Sequence, residues 1–175
     1  MRFTRTRRLG LATVIALALA VFGLAPSATA ADPAPAELSF STDAATTTPG
    51  GAVNLSMTLK NNQTYDIWFV YQTIDPTWLT TQRPDLKYSF TGCSLATDAG
   101  AVPCSGTGPA DLGGNYGTTI PPGQSRTVTL TLQVAEDSGC NGNIGFYSYF
   151  YAEFSDSTSL SGGPVHTPET RVTCA

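Results

Sequence analysis

The chain has 175 residues, 13% of them charged, four cysteines and a formal net charge of −4. Four of its nine cations fall within the first eight residues, so the rest of the chain sets five fixed cations against thirteen carboxylates, a net charge of −8. Such an acidic surface repels phosphate backbones, which argues against nucleic acid and anionic membranes as partners.

Arg2, Arg5, Arg7 and Arg8 precede an uncharged apolar run, Leu9 to Leu24, and Ala28-Thr29-Ala30 supplies the small residues of an export cleavage site. Residues 1–30 are therefore expected to be a signal peptide cut after Ala30. A transmembrane helix fits less well, because the run is short and meets Pro26. Arg7-Arg8 raises twin-arginine export, but Leu9-Gly10-Leu11 fits that signal loosely, and Sec export is the reading taken. With no cysteine near the cleavage site and no apolar tail before Ala175, the expected product is secreted and extracellular, without a membrane anchor. The Pro/Ala-rich residues 31–36 are expected to be a flexible leader to one domain, 37–175, long enough to bury a real core.

From Glu37 the pattern has period two. Leu38 and Phe40 alternate with Ser39 and Ser41. Val53, Leu55, Met57 and Leu59 alternate with polar residues, and so do Val128, Leu130, Leu132 and Val134. Such alternation marks strands with one face on a core and the other in water. The second and third of these strands each follow a Pro-Gly turn, Thr48-Pro49-Gly50-Gly51 and Pro121-Pro122-Gly123-Gln124, in which proline presets φ and glycine takes a positive φ. Aromatic-rich strands are expected over Tyr65–Ile74 and Ile144–Phe154, a short strand over Lys87–Cys93 and a terminal strand over Thr170–Cys174. With no sustained helical period, the expectation is an all-β, two-sheet antiparallel Greek-key sandwich of the immunoglobulin-like type, interrupted by a long disulfide-bearing insertion between Thr73 and Thr119.

Two segments, Pro49-Gly50-Gly51-Ala52-Val53-Asn54-Leu55 with Asn61-Asn62, and Ile120-Pro121-Pro122-Gly123-Gln124-Ser125-Arg126-Thr127-Val128, resemble bacterial immunoglobulin-like extracellular modules of the CARDB adhesion type. The resemblance spans the sandwich edges but not Gln72–Thr119. It implies the fold and an extracellular adhesive or spacer role, and it carries over no catalytic or ligand residue.

In an oxidising compartment the even set Cys93, Cys104, Cys140 and Cys174 implies two disulfides. If Ile144–Phe154 and Thr170–Cys174 form an antiparallel hairpin, Cys140 and Cys174 lie side by side, leaving Cys93 and Cys104 to close a local loop. A zinc site fails on spacing, since no C-x-x-C pair exists and His166 is the only histidine; no metal and no cofactor are assigned.

Catalysis finds little support. His166, expected in a turn, has no G-x-S-x-G elbow to serve as base. The close acidic sets, Glu136-Asp137 and Glu153 with Asp156, suit solvated surface acids better than a hydrolytic pair. The expected function is a non-enzymatic module that binds or spaces at the bacterial cell surface, its partner a cell-wall or extracellular polysaccharide or an extracellular protein. A secreted protease inhibitor presenting the loop Ser94–Pro103 between Cys93 and Cys104 is the alternative.

One strand stands out. In Ile144–Phe154 the phenylalanines alternate with Tyr147, Tyr149 and Tyr151, and Glu153 shares the tyrosine side. The phenylalanines should face the core and the tyrosines outward, as a flat row about 13 Å long that could stack on sugar rings. Two outcomes stay open: an exposed ligand platform, or a face covered by residues 73–119, with Trp78, Tyr88 and Phe90 as candidate covers.

Overall fold

Alternating apolar and hydroxyl-bearing residues dictate most of the observed strands. The structure, a computed structural model, describes residues 34–98, 100–102 and 119–174. The expected signal peptide, the start of the leader and Cys104 lie outside the described residues. In chain order the elements are β1 (Ala36–Thr42), β2 (Thr46–Thr47), β3 (Ala52–Asn61), β4 (Ile67–Gln72), β5 (Asp75–Pro76), α1 (Trp78–Thr81), β6 (Tyr88–Thr97), β7 (Gly100–Val102), β8 (Ser125–Val134), β9 (Gly142–Ile144), β10 (Phe146–Phe154), β11 (Ser159–His166) and β12 (Thr170–Val172).

They build an all-β sandwich. One sheet runs β1-β3-β8-β6-β7 and is antiparallel throughout; the other runs β11-β10-β4, with β5 added beside β10. A small third sheet, β2-β12-β9, continues from the foot of β10. The register of β3 against β8 sets Val53 opposite Leu132, Leu55 opposite Leu130 and Met57 opposite Val128. All six are buried, and all but Val53 meet Ile67, Val70, Phe150, Ala152 and Phe154 of the facing sheet in one core. Burying each large aliphatic side chain contributes about 1.5–3 kcal/mol.

The outer face of the larger sheet is a field of short polar side chains. Ser56 and Thr129 share a hydroxyl–hydroxyl bond of 2.9 Å, Thr58 and Thr127 another of 2.9 Å, and the Thr131 hydroxyl donates to Asn54 Oδ1 at 2.9 Å.

Both Pro-Gly turns form as expected, with Gly50 at φ 82° and Gly123 at φ 75°. Asn61 explains why one of them sits where it does. Fully buried, it donates from Nδ2 to the carbonyls of Tyr65 and Ile120, both at 2.8 Å, and its backbone bonds to Gly123 and Gln124. One side chain thus ties the end of β3 to the turn that launches β8.

Four expectations need correction. Residues 73–119 are not a mere insertion, because β6 is a ten-residue strand paired with β8 in the heart of its sheet. Ala36, placed in the expected leader, opens β1 and is buried. Ile144–Phe154 is two strands, broken at Gly145, where the Thr80 hydroxyl accepts from the glycine N–H at 2.9 Å. The hairpin partner of β10 is β11, whereas β12 pairs with β9, placing Thr170 opposite Ile144 and Val172 opposite Gly142. The consequence for the cysteines survives that change. Cys140 precedes β9, Cys174 follows β12, and the two form a disulfide with Cα atoms 5.3 Å apart. Cys93 is also disulfide-bonded.

Candidate functional site

The side chains of β10 divide as the alternation requires. Phe146, Ser148, Phe150, Ala152 and Phe154 are buried, and Tyr147, Tyr149, Tyr151 and Glu153 occupy the outer face. Gly162 of β11 lies opposite Phe150, so close that a Cβ there would come within 2.3 Å of the phenyl ring. Phe150 can reach the core edge only because its neighbour has no side chain.

The tyrosine row is open but not flat. Tyr149 is 48% exposed, while Tyr147 and Tyr151 are partly covered. The rings of Tyr147 and Tyr149 stand 5.8 Å apart at 86° to each other, edge to face. Three tyrosines two residues apart do not stack coplanar, because aromatic pairs at this distance favour the T-shaped arrangement of their quadrupoles. The Tyr147 ring also lies 6.1 Å from that of His166, which ends β11 rather than sitting in a turn.

The cover expected from residues 73–119 does not come from the residues named for it. Tyr88 and Phe90 sit on β6 and pack edgewise and tilted against Phe146 on the core side, at 5.5 and 5.2 Å. Trp78 lies on the single turn of α1 and is 70% exposed.

The face instead gains rings from β4. Tyr71 lies directly opposite Tyr151, and Phe69 opposite Glu153. Phe69 meets Tyr151 edge-on at 6.4 Å and Trp68 at 6.0 Å. Trp68 is 46% exposed and Tyr71 45%. Trp68 is there because of a one-residue irregularity where the β4–β10 register shifts at Phe154. Ile67 faces in, Trp68 and Phe69 both face out, and the inward set resumes at Val70 and Gln72. Uninterrupted period two would have put Trp68 beside Val70. The signal for the bulge was present in the sequence as two β-branched core residues three apart, Ile67 and Val70.

Beyond Tyr151 the face ends in a groove lined by Trp68, Tyr151, Glu153, Ser155, Thr158 and Ser159. The Tyr151 hydroxyl donates to Glu153 Oε1 at 2.9 Å. At the hairpin tip, Asp156 accepts from the Thr158 hydroxyl at 2.6 Å and the Thr158 N–H at 3.0 Å, and those bonds hold its carboxyl below the usual aspartate range. Asp137 is paired with Lys87, whose ammonium lowers its pKa likewise. The carboxylates weighed for hydrolysis are thus partly committed to local bonds. Among the described residues, no three His, Cys, Asp or Glu side chains gather as metal ligands would.

The loop considered for protease inhibition is largely a paired strand. Ser94–Thr97 bond to β8 on one side, and Leu95–Thr97 also to β7 on the other, so their backbone groups are already occupied. Gly100–Val102 of the same loop are β7 itself, and Ala99, Pro103 and the flanking Cys104 lie outside the described residues.

No protein-family profile matches the chain, and no curated protein matches it in sequence. Solved structures do resemble it. BcpA*, a form of the major pilin subunit of Bacillus cereus, superposes with a TM-score of 0.56 at 9% identity, over 80% of this chain and 40% of the pilin. BcpA itself gives 0.50 at 10% identity, over 78% and 39%. The sixth cohesin of scaffoldin B from Acetivibrio cellulolyticus gives 0.46 at 9% identity, over 77% and 98%. The chain thus spans about two fifths of the pilin chains it matches. At these identities the likeness is one of fold: it supports the immunoglobulin-like sandwich, and none of the comparisons matches a CARDB-type module.

Proposed function

We propose that this chain is a secreted, non-catalytic β-sandwich module that binds an extracellular or cell-wall polysaccharide through the outer face of the β11-β10-β4 sheet. One observation carries the reading: Trp68, Tyr71 and Tyr149, from two neighbouring strands, are all close to half exposed on that one face. Folded proteins seldom leave large rings grouped in water without use. Aromatic faces suit the C–H faces of sugars, and rings set at different tilts suit a chain that twists. The opposite outer face, with hydroxyls bonded to one another, offers no comparable apolar area. The export signal expected in residues 1–30 and the disulfide chemistry support an extracellular setting.

The test is a depletion assay of the purified protein on insoluble cellulose, chitin and washed bacterial cell walls. Trp68→Ala, Tyr71→Ala and Tyr149→Ala should each weaken retention about tenfold, a loss usual for a central aromatic contact. Thr129→Ala, on the other outer face, should not. Retention that is indifferent to all three aromatic changes would refute the proposal.

A further inference from the structure

We infer that the groove at the Trp68 end of this face reads charge, and that the polysaccharide it prefers carries free, protonated amines: a polymer of de-acetylated hexosamine units. The inference rests on the polysaccharide reading above and deepens it.

Three features point the same way. First, the groove sets a carboxylate beside aromatic rings. Glu153 is on its wall with Trp68 and Tyr151, and its Oε1 accepts from Tyr151 while no described residue donates to its Oε2. An ammonium group seated there would meet the carboxylate on one side and a ring face on the other, the combination by which proteins hold organic cations. Second, nothing nearby opposes it. The strands β4, β10 and β11 and the turn between β10 and β11 contain neither lysine nor arginine. Asp156 adds a second carboxylate at the hairpin tip, and its bonds to Thr158 keep it ionised. Third, Ser155, Thr158 and Ser159 supply hydroxyls on the same groove, as the hydroxyls of a hexosamine require. An anionic glycan would face the carboxylates of Glu153 and Asp156, and a neutral one would leave Glu153 without a counter-charge.

The experiment compares affinities for three short, water-soluble polymers at about pH 5.5, where the polymer amines are protonated: de-acetylated chitosan oligomers, their N-acetylated counterparts and cellulose oligomers. The wild-type protein should bind chitosan about three- to tenfold more tightly than the N-acetylated polymer, the range of one ion pair combined with a partly exposed cation–π contact. Glu153→Gln keeps an acceptor for the Tyr151 hydroxyl and should abolish that preference, the affinities for chitosan and its N-acetylated counterpart becoming equal. Glu136→Gln, in the turn beyond β8, removes the same net charge elsewhere and should leave the preference intact. Equal affinities in the wild type, or a preference lost equally in both variants, would overturn the inference, the latter by showing attraction to the whole acidic surface. Binding to neutral polymers that falls in Trp68→Ala but shows no amine preference would sink this inference and leave the polysaccharide reading standing. Absence of binding to all three polymers would end both.

Discussion

Tyr149 and Phe150 are neighbours in sequence and face opposite ways, so their truncations should separate. Phe150 is 6% exposed and rests on Gly162, which has no side chain that could move into the space. Phe150→Ala should therefore fall in the upper part of the usual range for large-to-small core changes, about 4–5 kcal/mol. For Tyr149, 48% exposed, roughly half of a ring worth about 200 Å² is covered, and about 25 cal/mol per Å² gives about 2.5 kcal/mol as an upper limit. Alanine keeps part of that cover and the unfolded chain already buries some, so Tyr149→Ala should cost about 1–2 kcal/mol. A domain of this size loses about 3–5 °C of Tm per kcal/mol. Melting scans should then show a fall of about 3–10 °C for Tyr149→Ala and about 12–25 °C for Phe150→Ala. Equal falls, or the reverse order, would mean that β10 does not present its faces as described, and the binding surface would go with it.

Three further outcomes are expected. Non-reducing peptide mapping should recover a Cys140–Cys174 peptide, and replacing both cysteines by serine should cost about 3–4 kcal/mol, the chain-entropy value for a separation of 34 residues, read from chemical denaturation. Ser157 holds φ at 70° in the β10–β11 turn, so Ser157→Gly should raise stability by about 0.5–1 kcal/mol in the same assay. Asp85, Asp137 and Asp156 have their pKa values lowered, chiefly by hydrogen bonds from Arg83, Lys87 and Thr158 respectively. The native state therefore binds fewer protons than the unfolded chain, so what these groups add is full above about pH 4 and fades as pH falls through their lowered values. An acid titration of Asp85→Asn should show a shallower loss of stability below about pH 4 than the parent.

The sequence made some of this legible and hid the rest for identifiable reasons. β1, β3 and β8 could be read because every second residue is apolar and each Pro-Gly turn needs its glycine. The division of β10 into a phenylalanine side and a tyrosine side followed from the same rule. β11 could not be read, because Gly162-Gly163-Pro164 interrupts its pattern and resembles a loop, yet Gly162 is what admits Phe150. Trp68 and Tyr71 lie on a strand that is apolar on both faces, so alternation alone could not say which side is exposed, and the extra residue at Trp68 breaks the alternation besides. The tilt of Tyr147 against Tyr149 is a property of packed rings that spacing along a strand does not determine. β6 was foreshortened because its small and polar residues beyond Gly92 give little apolar signal, although Leu95 is buried.

The hydroxyl pairs on the outer face of the larger sheet matter for what happens once the other face is occupied. Ser56 with Thr129, and Thr58 with Thr127, spend their strongest hydrogen bonds on each other. A molecule lying ring-side down on a polymer would turn this largely self-satisfied surface, where Glu37 stands opposite Lys60, toward the medium, with few groups able to hold a second molecule. Coverage of a polymer should then stop at a single layer, and the coated fibre should present a wet, non-adherent exterior in place of its own sugars.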